Sequence, residues 1–199
     1  VINNAVSLPN FEDKETNKVR TFLFLGALIQ RKGVIDLLDA VKQMKDHGVS
    51  DFRLSIAGSG VEEQRLKEYT RTNGLQKYVE FLGWVTKEQK PELLKKSDVL
   101  VLPSYNEGLP IAILEAMSYG LPIISTNVGS IGEAVKEKEN GFLIEPGDVD
   151  SLAHAMIQLT NNSILWKKES RASRNICETK FSENVFFEAV EKIYRGLCK

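Results

Sequence analysis

The sequence predicts an α/β domain, a parallel sheet with helices on both faces. Three observations carry this reading. Short apolar runs alternate with longer stretches at helical spacing along most of the chain. The runs are largely continuous rather than alternating, as expected of strands buried on both faces, and the helical stretches supply the crossovers that parallel strands need. The chain has 199 residues, 42% hydrophobic and 27% charged, enough for one domain with a real core.

The elements follow in order. Residues 21–28 form the first apolar run. Within residues 33–47, Val34, Leu37, Leu38, Val41 and Met44 recur at the spacing of a helix with one buried face, and Gly48 is placed to end it. Residues 52–57 read as a strand that turns through Gly58-Ser59-Gly60 into a helix running past Leu66 and Tyr69. Residues 78–82 are a strand, followed by a short helix around Leu93 and Leu94. Residues 98–102 are a strand, followed after a loop by a helix over about residues 110–119. Residues 122–125 and 141–144 are two more short strands. Three helices close the chain, over about residues 148–159, 165–177 and 182–197. The last carries Phe186, Val190, Ile193 and Leu197 on one face. No internal repeat, low-complexity tract or second domain is visible.

Composition excludes several classes. Twenty-six basic residues against 27 acidic ones give a net charge of -1, so charge alone points to no nucleic acid and no membrane surface. No stretch approaches the roughly 18 apolar residues of a membrane span. The first residues lack a basic-then-apolar leader and an initiator Met; the opening Val1-Ile2-Asn3-Asn4 reads as the start of a piece of a longer protein. Cys177 and Cys198 form no CxxC pair and read as free thiols of a reducing compartment. His47 and His154 stand far apart, without neighbours suited to hold a metal.

Open parallel sheets bind ligands at the carboxyl ends of their strands. The loops of interest are therefore residues 29–33, 58–60, 83–85, 104–109 and 127–132. Arg31 and Lys32 follow the first strand and precede a helix, a place where a helix N-terminus adds to positive charge and phosphate is held well. On their own they read as a solvated charge pair. Gly58-Ser59-Gly60 lets a ligand approach the backbone, yet it lacks the Lys-Ser/Thr of a phosphate-binding P-loop, and a mere tight turn explains it too.

The most informative segment is Pro103-Ser104-Tyr105-Asn106-Glu107-Gly108-Leu109-Pro110. Glu107 lies at the end of the loop, and Glu115 eight positions later in an otherwise apolar helix. At helical rise the two carboxylates stand up to ~12 Å apart. Paired carboxylates of retaining glycosidases stand ~5 Å apart and those of inverting ones ~6.5–9.5 Å. The spacing suits two anchors on one elongated ligand better than an acid–base pair. Glu115 also reads as a carboxylate satisfied within the fold. Asp148-Val149-Asp150 matches an Asp-x-Asp metal motif formally, but Pro146-Gly147-Asp148 reads as a turn and helix N-cap.

In this order, these residues resemble the C-terminal domain of the retaining GT-B glycosyltransferases of family 4. Glu107 and Glu115, followed by Ala116-Met117-Ser118-Tyr119-Gly120-Leu121-Pro122, match that family's Glu-x7-Glu signature. Asn3-Asn4-Ala5-Val6 is similar to its interdomain segment. Leu54-Ser55-Ile56-Ala57-Gly58-Ser59-Gly60, Val79-Glu80-Phe81-Leu82-Gly83 and residues 97–104 and 126–133 are similar to further family segments. The match covers nearly the whole chain.

The resemblance implies a Rossmann-like sheet, the C-terminal half of a GT-B fold. Residues 1–199 would be the nucleotide-sugar donor-binding domain, and the N-terminal acceptor domain would be absent from this chain. The implied activity is retaining, metal-independent hexosyl transfer from a UDP- or GDP-type sugar to an acceptor hydroxyl, in polysaccharide or glycolipid synthesis. The isolated domain is expected to be inactive. Lys32 would contact the diphosphate, Glu107 the transferred sugar and Glu115 the ribose hydroxyls, with Lys32 and Glu107 carrying catalysis. Gly58, Gly60, Gly83 and Val85 would line the base pocket. The amides of Leu109, Ile111 and Ala112, beside Gly108, would face the phosphates, while Pro110 has no N–H to give.

One departure stands out. The family carries Arg after the glycine of its first strand, where this chain has Ala27. Either Arg31 compensates from the same loop or the donor is held more weakly. The resemblance further implies no cofactor and no nucleic acid. It implies an acceptor glycan or lipid-linked glycan bound through the missing domain. The implied setting is cytoplasmic, with any contact to the inner face of a membrane made by that domain. Two other readings are a GT-B sugar-nucleotide epimerase or phosphorylase-like enzyme, and a degenerate nucleotide-binding module, which Ala27 favours.

Overall fold

The computed structural model describes residues 4–11 and 18–197; Val1, Ile2, Asn3 and Cys198 lie outside the described residues. Six strands, β1 (Thr21–Leu25), β2 (Arg53–Ala57), β3 (Val79–Gly83), β4 (Val99–Leu102), β5 (Ile123–Thr126) and β6 (Gly141–Ile144), form one sheet in the order β3-β2-β1-β4-β5-β6. Every pairing is parallel. The central strand β4 is fully buried from Val99 to Leu102, which explains its continuous apolar sequence.

The helices are α1 (Val34–Asp46), α2 (Glu63–Thr72), α3 (Lys90–Lys96), α4 (Ile111–Ser118), α5 (Ile131–Ala134), α6 (Val149–Asn161), α7 (Ser163–Lys180) and α8 (Glu183–Leu197). In α1 the residues at helical spacing, Val34, Leu37, Leu38, Val41 and Met44, are all buried. Each such side chain contributes about 1.5–3 kcal/mol by leaving water. The helix ends as predicted: the Gly48 amide donates to Lys45 O at 2.9 Å and the Val49 amide to Met44 O at 3.0 Å, Gly48 taking φ 79°. Helix α1 packs on α6 and α4 packs on α7. Trp166 of α7 is buried and donates its indole N–H to Asp98 O at 2.8 Å, tying α7 to the start of β4.

Three local differences from the sequence reading have simple causes. The first apolar run continues to Leu28, but β1 stops at Leu25. Gly26 and Leu28 still donate to Ala57 O and Ser59 O beyond it. A 3-10 turn at Gln30–Lys32 and the four-residue α5 are too short to leave a periodic signal. The apolar face of α8 is only partly covered: Phe186 and Val190 are half-buried, while Ile193 is exposed.

What matters for function is the place where the strand order reverses. Strands β1 and β4 are adjacent, but the chain leaves them in opposite directions along the sheet, β1 toward β2 and β4 toward β5. Their following loops therefore part and leave a crevice, the usual ligand position in such sheets.

Candidate functional site

The loops after β1 and β4 are stitched together at this crevice. The Tyr105 amide donates to Arg31 O at 2.8 Å. Gly33 sits against Pro103 with φ 66°, and a Cβ there would lie 2.0 Å from Pro103 O, so only glycine permits this approach. The close fit carries Lys32 over to the β4 loop, where its ammonium pairs with the Glu107 carboxylate. The two side chains are only 13% and 9% exposed. Charges this buried need a partner, and in this structure each supplies the other's. The Glu107 loop is held in turn by the Ser130 amide, which donates to Gly108 O at 3.1 Å.

Beside this pair opens a cleft of about 460 Å³ at the carboxyl ends of β1 and β2. Gly26, Ala27, Ala57 and Gly58 line it on the strand side, Trp84 and Val85 follow β3, and Ile111, Ala112 and Glu115 belong to α4. Lys87 and Lys90 complete the wall. The Lys32 Cε lies 3.9 Å from the position a Cβ on Gly26 would take, so Lys32 borders the same space. Glu115 pairs with the Lys90 ammonium across the cleft, the side chains being 24% and 27% exposed. A second groove of about 380 Å³ adjoins through Lys87, Lys90, Ile111 and Glu115.

Helix α4 starts at Ile111, with Pro110 as its N-cap and no capping side chain. The Ile113 amide turns back to Pro110 O at 3.1 Å, which leaves the Ile111 and Ala112 amides at the positive end of the helix for a ligand. Pro110, with φ -64° and ψ 130°, sets the direction in which the helix leaves the loop.

The structure brings most of the predicted residues together. Gly58, Val85, Ile111 and Glu115 share the cleft, and Lys32 and Glu107 stand at its border. Gly83 adjoins Trp84 and accepts from the Gly58 amide at 2.7 Å. Gly108 and Leu109 lie in the loop leading into α4. Two predicted residues lie elsewhere. Gly60 packs on the backbone of Leu28, where a Cβ would come within 2.3 Å of Leu28 O; this close approach explains the glycine without a ligand. Arg31 donates to Asn106 O at 3.1 Å and lines a separate depression of about 330 Å³ with Ile29, Glu62, Arg65 and Tyr105. It does not line the cleft that contains Ala27, because the turn of the 3-10 segment sends successive side chains in different directions.

Lys87 and Lys90 escaped the sequence reading, and Trp84 entered it only as part of the 83–85 loop. Thr86-Lys87-Glu88-Gln89-Lys90 has the composition of a solvated helix start, and Lys90 meets Glu115 only through tertiary contact 25 positions away. Trp84 offered a signal, an aromatic side chain directly after the glycine of a strand end, and it stands 75% exposed in the cleft. Asp148 caps α6 by accepting from the Ser151 amide at 2.9 Å, which holds its carboxyl below the usual range, and Asp150 accepts from Gln43 at 2.7 Å. Among the described residues no three His, Cys, Asp or Glu converge as metal ligands, and no helix is long and apolar enough to cross a membrane.

Three ammonium groups, of Lys32, Lys87 and Lys90, two carboxylates and a helix N-terminus thus gather at one cleft. The cations and amides suit a polyphosphate, and the carboxylates suit hydroxyl groups on either side of it. The chain is 38% identical over 146 residues to the UDP-Gal:alpha-D-GlcNAc-diphosphoundecaprenol alpha-1,3-galactosyltransferase of Escherichia coli, covering 72% of this chain and 37% of that protein. It is 31% identical over 175 residues to an uncharacterized glycosyltransferase of Methanocaldococcus jannaschii, covering 88% of this chain and 48% of that one. The chain therefore spans less than half the length of these relatives. Its fold superposes on the lipopolysaccharide outer core galactosyltransferase WaaB in its apo form with a TM-score of 0.82 at 27% identity, over 98% of this chain and 55% of that one. Residues 9–178 match the family described as glycosyl transferases group 1, and the chain belongs to that family.

Proposed function

We propose that this chain is the donor-binding domain of a retaining, metal-independent GT-B glycosyltransferase of family 4, and that its cleft holds a nucleoside diphosphate sugar of the UDP or GDP type. The observation that carries the reading is the pairing of Lys32 with Glu107 and of Lys90 with Glu115 on either side of the first turn of α4. One carboxylate suits the transferred sugar and the other the ribose, with the diphosphate between them at the helix N-terminus.

In this reading the acceptor hydroxyl attacks on the face that the nucleotide leaves. The protein's task is largely electrostatic. As the bond to the sugar breaks, negative charge grows on the leaving diphosphate. Lys32 and the first amides of α4 stabilise that charge, which is the part the enzyme plays in this reading. Glu107 orients the sugar through its hydroxyls rather than acting as a base. Trp84 and Val85 offer the base a flat apolar surface. The acceptor, a glycan or lipid-linked glycan, binds to a preceding domain, and this chain alone does not transfer sugar.

The E. coli relative is named for UDP-galactose, so UDP is the first nucleotide to titrate. Calorimetry with UDP, GDP and ADP, and with one sugar derivative of each, should show binding of one base type. Lys32→Ala and Glu115→Ala should each weaken it at least tenfold, the loss expected for a charge-assisted hydrogen bond of about 1.5–3 kcal/mol. Absence of binding by all three at millimolar concentration would count against the donor-domain reading. Robust sugar transfer to an acceptor by this chain alone would refute the assignment of acceptor binding to a separate domain.

A further inference from the structure

The charges of the cleft form two closed pairs, but the pairs are not equivalent. Lys32 and Glu107 are 13% and 9% exposed and are locked between two loops. Lys90 and Glu115 are 27% and 24% exposed and lie where the cleft and the adjoining groove meet. Lys90 opens α3, and its ammonium rides on a flexible four-carbon stem. Its other acidic neighbour on the helix, Glu92, is engaged by Lys96 at 3.8 Å. The cleft that Lys90 and the first turn of α4 share is lined in part by small residues, Gly26, Ala27 and Ala112. No arginine enters from the β1 side, because Ala27 has no charge and Arg31 lines the separate depression.

We propose that Lys90 is a phosphate-binding residue of this cleft: on nucleotide binding it leaves Glu115 for the diphosphate, and Glu115 is freed for a ribose hydroxyl. The proposal rests on the nucleotide reading above and names the cation that completes it. The exchange follows from charge. A diphosphate carries more negative charge than one carboxylate and gains at the same time from the α4 amides, so the ammonium is better placed beside it. Glu115 then accepts from a neutral hydroxyl instead of a cation. The Lys90–Glu115 pair keeps both groups from standing unpaired in a partly buried place. Lys87, on the same wall, adds to the positive potential.

The test compares ligands that share a base and differ in phosphate. Wild type, Lys90→Met and Lys90→Arg are titrated by calorimetry with UDP, UMP and uridine, or with the GDP or ADP series if that is the base bound. Lys90→Met keeps the apolar stem and should weaken UDP about 10- to 100-fold while leaving uridine within about twofold. UMP should fall between them, and Lys90→Arg should restore most of the UDP affinity. Equal weakening of UDP and uridine would mean that Lys90 only orients Glu115, and would overturn the proposal, as would unchanged UDP affinity in Lys90→Met. Thermal melts of both variants exclude misfolding as the cause. Wild type failing with every nucleotide would refute the nucleotide reading itself, a result visible before any variant is made.

Discussion

Replacing Glu169 by glutamine should flatten the pH dependence of this domain's stability. Glu169 lies on α7 with no exposed surface, and neither carboxyl oxygen has a hydrogen-bond partner among the described residues. Burial pushes its carboxyl up to about 7; Glu137 adds to the shift and Lys168 opposes it. In the unfolded chain the group titrates near 4.5. The folded state therefore holds the proton more tightly than the unfolded state. Below pH 4.5 both states are protonated and no penalty applies. Between 4.5 and about 7 the unfolded chain ionises while the folded one does not, so stability falls as pH rises. Above that range the penalty is constant. From 4.5 to about 7, at ~1.36 kcal/mol per pH unit, it amounts to roughly 3 kcal/mol, most of it developed between pH 5 and pH 8. Urea unfolding of wild type and Glu169→Gln at these two pH values measures it, because all other titrations cancel in the difference between the proteins. Glutamine leaves its own amide short of partners, an offset of about 1–3 kcal/mol that does not vary with pH. The stability of the variant relative to wild type should thus rise by roughly 2–3 kcal/mol from pH 5 to pH 8. The same relative stability at both pH values would refute the reasoning.

Other substitutions test the frame around the cleft. Gly33→Ala places a Cβ 2.0 Å from Pro103 O at φ 66°, and should cost about 3 kcal/mol or more in urea unfolding and weaken nucleotide binding by displacing Lys32. Trp84→Ala removes an indole that is 75% exposed, so stability should change by no more than about 0.5 kcal/mol. Nucleotide affinity measured by calorimetry should nevertheless fall at least about fivefold through lost stacking on the base. Burial pushes the Cys177 thiol up to about 12, and the thiol contacts Leu114 O at 3.6 Å. Peptide mapping after treatment with a thiol-specific reagent at pH 8 should find Cys177 unlabelled in the native protein and labelled in urea.

Much of the fold was legible because parallel strands buried on both faces write themselves as apolar runs, and because α1 and α6 bury residues at helical spacing. The Lys32 loop and the Glu107 segment were legible for another reason: loops at the carboxyl ends of strands bind ligands, and the strand order then brings these two together. Short elements left no trace, since three or four residues complete no period. Side-chain direction within a tight turn was also hidden. Arg31 and Lys32 are neighbours in sequence, yet one lines the separate depression and the other borders the main cleft.

Lys90 shows where sequence reasoning ends. Nothing in a run of lysine, glutamate and glutamine marks one member as a cleft residue, and the chain must fold before α3 meets α4. Once folded, a carboxylate in a concave, partly buried place requires a compensating charge. Glu115 was readable as a candidate anchor because it interrupts an apolar helix, and its need for a partner was part of that reading. The same requirement makes the partner informative. A cation that neutralises an anchor of the site is also a cation within reach of a ligand that the anchor holds. The functional weight of Lys90 therefore follows from that of Glu115, and a double-mutant cycle tells two separate ligand contacts from a pair that acts only through itself. If Lys90 passes to the diphosphate while Glu115 passes to a hydroxyl, Lys90→Met combined with Glu115→Gln should weaken UDP by about the product of the single effects. If the two act only through their mutual pair, the double variant should be no worse than the weaker single variant.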